Sequence, residues 1–155
     1  FNVAGADKKM RGGLIDKKSS HLIKVACEVA TGKRKRLIIN GNNYNTKDGT
    51  TIRDYIHVMD LGKLHILALR YLLKTKKSEI FNCGYGKGYS VMEVVKTLNK
   101  ILRKRIPVVY GPKRKGDLTS VVADSSKIKK KMRWKPQFNK LDVIIKSSLK
   151  WERKL

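Results

Sequence analysis

The apolar positions change period along the chain, and the changes mark its elements. Over residues 21–30, Leu22, Val25, Ala26 and Val29 recur at three- and four-residue steps, one face of a helix, and Gly32 follows where a left-handed backbone closes a helix end. Leu37-Ile38-Ile39 is a short apolar run bounded by polar residues and glycine, which predicts a strand. Residues 41–49 are dense in Asn, Asp and Gly and must turn. They deliver the chain to a second strand through Ile52, Tyr55, Ile56 and Val58, after which Asp60 is placed to cap a helix carried by Leu61, Leu64, Ala68 and Tyr71. Residues 79–83 read as a strand. The loop of Gly84, Gly86 and Gly88 then leads to Ser90-x-x-Glu93, a capping box for a helix with Val91, Val94, Val95, Leu98 and Leu102 on one face. Residues 107–110 and 120–123 predict two further strands, Asp124 a cap for a helix to Met132, and Leu141, Ile144, Ile145 and Leu149 a last helix to about residue 154. Residues 7–20 are a polar loop, and Phe1-Asn2-Val3 reads as the end of an apolar strand. Strands alternating with helices predict an α/β fold in layers.

Length and composition narrow this picture. A chain of 155 residues that is 41% hydrophobic can bury one core, and its opening residues suggest a piece of a longer protein. The 37 basic residues against 12 acidic ones give a net charge of +25, which attracts polyanions. The lysines are spread along the chain, however, and only 33–36 and 127–133 form dense basic runs. A lysine-coated surface is therefore the favoured reading over a nucleic-acid partner, the more so because aromatics are not interleaved with the basic runs as stacking platforms would be. No apolar run reaches the roughly 20 residues of a membrane span and no secretory pattern opens the chain, so a cytoplasmic protein is expected. Cys27, in an apolar helical stretch, and Cys83, in the strand at 79–83, read as small buried hydrophobes.

The chemistry on offer is anion handling. There is no HExxH, Walker loop or G-x-S-x-G elbow, and His21, His57 and His65 are far apart in sequence, with His65 read as partly buried. The glycines at 84, 86 and 88 miss the G-x-G-x-x-G spacing and read as a tight turn. Arg53 offers a planar, permanently charged fork suited to phosphate or carboxylate; on spacing alone the plainer alternative, pairing with Asp54 or solvating an edge, is favoured. Arg114, beside Lys113 on a basic loop, and the helix N-terminus at Ser90 complete the set. Two arginines from separate elements suit a diphosphate gripped from opposite sides.

Several segments, in order, resemble the C-terminal half of the UDP-glucose 4-epimerase family, within the extended short-chain dehydrogenases/reductases. They are Phe1-Asn2-Val3-Ala4-Gly5-Ala6, His21-Leu22-Ile23, Asn43 to Thr50 running into Ile52-Arg53-Asp54-Tyr55-Ile56-His57-Val58, Asn82 to Val91, Arg114-Lys115-Gly116-Asp117, and Ala123 to Lys127. The resemblance implies the substrate-binding part of an extended Rossmann-like epimerase without its N-terminal NAD-binding sheet. Residues 1–155 would form the UDP-sugar-binding half, with strands near 1–4 and 79–83 joining the absent sheet. It further implies that Asn2 binds the UDP-sugar, that His21 and Leu22 lie near diphosphate and uridine, and that Ile38 and Asn40 flank the uracil, Asn40 replacing an aromatic of many relatives. Arg53 and Arg114 would clamp the diphosphate and Asp117 would accept from the ribose. Val121 would leave room for a 2-acetamido group, and Phe1 and Val3 would lie beside the nicotinamide. The family removes hydride from C4 of UDP-glucose or UDP-galactose to NAD and returns it to the other face. Its catalytic Tyr-x-x-x-Lys and glycine-rich loop precede the residue matching Phe1, so this chain would hold no catalytic residue and would be inactive alone. The complete enzyme would be a homodimer. A sister nucleotide-sugar dehydratase or decarboxylase and a basic nucleic-acid-binding relic are the rival readings.

Overall fold

A computed structural model describes residues 2–16 and 18–155. Its central strand, β3 (Ile52–His57), is bordered on both edges. Along one edge β6 (Ser120–Val121) pairs in parallel with Ile52 and Arg53, and β1 (Asn2–Ala4) pairs in parallel with residues 55–57. Along the other, β4 (Gly88–Ser90) runs antiparallel to Ile52, Arg53 and Asp54. A separate parallel pair joins β2 (Leu37–Asn40) to β5 (Val108–Gly111), with Asn40 opposite Gly111. The alternating pattern thus gives the expected α/β architecture.

Three helices make the main core: α1 (Leu22–Ala30), α3 (Val91–Leu102) and α5 (Leu141–Lys154). Ile23, Ala26, Cys27, Val94, Val95, Leu98, Ile144, Ile145 and Leu149 interlock there beneath Tyr55 and β2. A smaller cluster of Ile56, Leu64, Ile128 and Trp134 lies under α2 (Val58–Thr75) and α4 (Ser126–Met132). Among the described residues no helix is long and apolar enough to cross a membrane. On α2, Ile66, Leu69 and Leu73 remain exposed.

A charged cluster is buried where α1 meets α5. Lys24 donates to Glu152 at 2.6 Å and lies 3.4 Å from Glu28. Lys33 donates to the Glu152 carboxylate and to its backbone carbonyl, each at 2.8 Å, and Arg34 pairs with Glu28. Burial pushes the Glu152 carboxyl up, but the hydrogen bonds from Lys24 and Lys33 outweigh it and hold the group below its ordinary range.

Helix starts show where local signals suffice. Ser90 makes the predicted capping box: its hydroxyl accepts from Glu93 N at 3.0 Å and Glu93 accepts from Ser90 N at 2.7 Å. Asp60 does not cap α2. His57 does, its Nδ1 accepting from Met59 N at 3.1 Å. Asp60 is fully buried within the first turn, where it accepts from Gln137 N, Phe138 N and the Tyr85 hydroxyl and ties down distant segments. Helix α4 begins two residues beyond Asp124, with Ser125 at the N-cap position, although the Asp124 carboxylate still accepts from Ser126 N at 2.9 Å.

Residues 79–83 form no strand. Among the described residues no strand pairs with them, and a lone extended segment gains nothing from strand geometry. Ile80 is 86% exposed there. Cys83 is accordingly half-buried in irregular backbone, while Cys27 is buried in α1 as expected, its thiol pushed up to about 12 by burial.

Candidate anion-binding cavity

A cavity of about 810 Å³ opens where the N-terminus of α1, the end of β2, the start of β3 and the 112–117 loop converge. Asn2, His21, Leu22, Ile38, Asn40, Arg53, Arg114 and Asp117, all singled out from sequence, line it together. Sequence reasoning missed Lys18, Arg34, Arg36, Thr51, Tyr55 and Val91, which line it too. Arg34 sits in the basic run 33–36, the one signal in the sequence that points to it, but a run of cations is more often a solvated face.

Five basic side chains thus face two carboxylates, Asp16 and Asp117, around one space. Arg53 is held on a central strand between its register partners Tyr89 and Val121. Its Nη1 donates to the Ile52 carbonyl at 2.7 Å and its Nη2 to the Asp117 carboxylate. The plainer pairing of Arg53 with Asp54 is therefore wrong. Asp54 points the other way and is buried, accepting from Ala123 N at 3.2 Å, and burial raises its pKa. Alternation along a strand forces this, since neighbouring side chains face opposite sides.

Arg114 reaches the same cavity from an exposed loop. Leu22, Val25 and Ile38 give the cavity an apolar wall. His21 is the N-cap residue of α1, yet among the described residues neither ring nitrogen has a partner, and burial pushes its pKa down, which favours a neutral ring. The Asn2 amide is already used, donating to the Asp54 carbonyl at 3.1 Å. A lining that combines cationic forks with apolar side chains suits an elongated anion with an apolar end.

Other candidates fall away from this space. Val121 lies on β6 beside Arg53 but outside the lining, and Val3 packs against the Ile56 cluster. Phe1 lies outside the described residues. The N-terminus at Ser90 is not open, because the capping box, Thr50 Oγ and the Thr51 carbonyl take the N–H groups of Ser90, Val91, Met92 and Glu93. His57 is buried behind β3, with Nε2 3.0 Å from Ser147 Oγ and its ring stacked on Phe138 at 4.5 Å. His65 is exposed rather than partly buried. Among the described residues no group of three His, Cys, Asp or Glu side chains is placed to hold a metal ion.

NAD, implied by the resemblance, does not fit these residues on their own. A Cβ added at Gly84 would lie 2.3 Å from Asp54 and 2.6 Å from Ala123, and one at Gly88 would meet Ile52 at 2.5 Å. These glycines let the loop pack against protein; they do not leave a cradle for a pyrophosphate.

The family model described as GDP-mannose 4,6 dehydratase matches residues 15–147, and the chain belongs to that family. Among individual relatives, it is 46% identical to the UDP-glucose 4-epimerase of Azospirillum brasilense over 155 residues, which is 100% of this chain and 44% of that protein. The UDP-Glc/GlcNAc 4-epimerase of Campylobacter jejuni superposes with a TM-score of 0.82 at 44% identity, over 100% of this chain and 47% of that one. The Bifidobacterium longum UDP-glucose 4-epimerase, solved with NAD+ and UDP, superposes with a TM-score of 0.90 at 36% identity, over 99% and 46%. The chain therefore spans about half the length of the relatives it matches.

Proposed function

We propose that this chain is the UDP-sugar-binding part of a UDP-glucose 4-epimerase and that the cavity takes the UDP moiety. The carrying observation is that Arg53 and Arg114, 61 positions apart by their numbers, line one cationic space with an apolar wall. In this reading the two guanidinium groups hold the diphosphate, Leu22 and Ile38 cover the uracil, and Asp117 accepts from the ribose while keeping Arg53 in place. His21 supplies a ring nitrogen at the diphosphate end. Asn2 closes the sugar side, and Asn40 lies at the uracil edge. Residues 1–155 act as one binding unit whose β1 and exposed α2 face, with Ile66, Leu69 and Leu73, meet the part of the enzyme that binds NAD and carries the catalytic tyrosine and lysine. What these residues do for interconversion of UDP-glucose and UDP-galactose is bind and orient; the chain alone has no turnover, and the complete enzyme works as a homodimer in the cytoplasm. Val121, a small side chain at the position implied to limit a 2-acetamido group, and the similarity to the Campylobacter enzyme named for both UDP-Glc and GlcNAc support acceptance of UDP-N-acetylhexosamines.

Calorimetric titration tests the reading. The chain should bind UDP saturably and more tightly than UMP or GDP. Arg53→Met should weaken UDP binding about tenfold or more, the usual size of a lost charged hydrogen bond. Equal binding of UDP and GDP would favour the sister dehydratases. Sequence-blind, steeply salt-dependent binding of DNA or RNA with no saturable UDP binding would favour the nucleic-acid reading and overturn this one.

A further inference from the structure

We infer that Asn40 is a positioning residue, whose side-chain oxygen holds the Arg114 guanidinium in the orientation a diphosphate meets. This rests on the UDP reading of the cavity and adds to it a device that the resemblance does not supply. The parallel register of β2 and β5 puts Asn40 opposite Gly111, three residues before Arg114, so the strand end lies beside the loop that carries the arginine. The Asn40 amide is satisfied only with Oδ1 turned toward Arg114, where it accepts from Nε and from Nη2, each at 3.1 Å. The opposite orientation would set the amide NH₂ against guanidinium donors.

The chemistry of this grip matters. Among the described residues no carboxylate pairs with Arg114, whereas Arg53 has already given donors to the Ile52 carbonyl and to Asp117. A neutral oxygen fixes the Arg114 fork without neutralising it. Of the five N–H donors of a guanidinium, two go to Asn40, and three remain on the side away from it. Arg114 is exposed on its loop, and an exposed arginine samples many rotamers. Fixing it before the ligand arrives removes part of the ordering cost of binding. An aspartate at position 40 would hold the fork equally well but would quench the charge that a phosphate seeks.

The test compares Asn40→Leu, Asn40→Asp, Arg114→Gln and the double variant Asn40→Leu/Arg114→Gln in the 155-residue chain. UDP affinity is measured by calorimetry, and the Arg114 Nε–H resonance, assigned by its loss in Arg114→Gln, by ¹⁵N-edited NMR. Asn40→Leu should broaden or shift that resonance toward a solvent-averaged position and weaken UDP binding roughly five- to tenfold. In the Arg114→Gln background it should add nothing, because the two residues act as one unit. Asn40→Asp should keep the Nε–H signal yet still weaken UDP. An unchanged resonance in Asn40→Leu, or losses that simply add in the double variant, would overturn the inference. If the unsubstituted chain binds no UDP, the reading of the cavity falls, and the Nε–H comparison still decides by itself whether Asn40 holds Arg114.

Discussion

Replacing Lys24 by methionine probes the charged cluster that fixes α1, and with it His21 and Leu22, against α5. The lysine side chain is 7% exposed and bridges Glu152, 2% exposed, and Glu28. Methionine fills the same channel without charge, so the loss is electrostatic. Removing one member of a buried ion pair costs about 3–5 kcal/mol. Each carboxylate keeps one cation, but Lys33 and Arg34 are 41% and 38% exposed, and such partly solvated charges compensate only weakly. The lower end, about 3 kcal/mol, is expected. For a chain of this length that is a fall of about 6–12 °C in Tm. Thermal melts followed by circular dichroism supply the measurement, and the double variant Lys24→Met/Glu152→Leu should recover most of the loss, because it removes the stranded charge as well.

The pH dependence has a definite sign. In the parent chain Glu152 titrates below its ordinary 4.5 when folded, so its contribution is present above that value and is lost as pH falls through the lower folded value. In Lys24→Met the favourable partner is gone and burial dominates, so the folded pKa rises and protonation favours the fold. The gap between the two proteins must therefore narrow as pH falls from 7 toward the ordinary glutamate range. A Lys24→Met protein within 1 kcal/mol of the parent at pH 7, or a gap that stays constant with pH, would refute the reasoning.

Further outcomes follow from other sites. Hydrogen bonds from Lys131, Tyr71 and Lys127 hold Glu79 at about 2, so its contribution is present above the ordinary 4.5 and is lost as pH falls to about 2; Glu79→Gln should therefore lower stability near neutrality and flatten the acid side of the profile, the two proteins converging toward pH 2; an unaltered slope in acid melts counts against it. Gly49 has φ +76°, and an added Cβ would sit 2.0 Å from the Asn42 carbonyl oxygen, so Gly49→Ala should cost at least about 2 kcal/mol; a melt within about 0.5 kcal/mol of the parent rejects the strain. The chain supplied with NAD and UDP-galactose should form no UDP-glucose, and detectable product by chromatography overturns that. UDP-N-acetylglucosamine should bind within about tenfold of UDP-glucose if the 2-acetamido group is tolerated; a much larger discrimination assigns the opposite specificity.

What could be read from the letters depended on how far apart the interacting residues lie. The capping box at Ser90 involves residues three apart and was legible. So was the apolar face of α5, through Leu141, Ile144, Ile145 and Leu149. Asp60 looked like a cap because caps are local, but its partners are Gln137, Phe138 and Tyr85, which no neighbouring pattern reveals. His57 took the cap instead, a residue outside the usual capping set. Residues 79–83 have the letters of a strand, and strand formation depends on a neighbour the letters do not encode. For the cavity, Arg53 and Arg114 were legible as anion-handling groups and Asp117 came from the resemblance, and the three do converge. The approach of Arg34 and Arg36 to the same space, which their basic run does not distinguish from a solvated face, and the Asn40 contact 74 positions away are tertiary facts.

The two arginines are mounted with unequal stiffness. Arg53 stands mid-sheet, where backbone ladders to β4 and β6 grip it from left and right, whereas Arg114 rides on an exposed loop steadied by a single amide. The cavity is in effect a vice with one fixed and one sliding jaw. Insertions or exchanges among residues 112–116 can therefore retune its span without disturbing the sheet, while any change that shifts β3 moves the anvil and the core together.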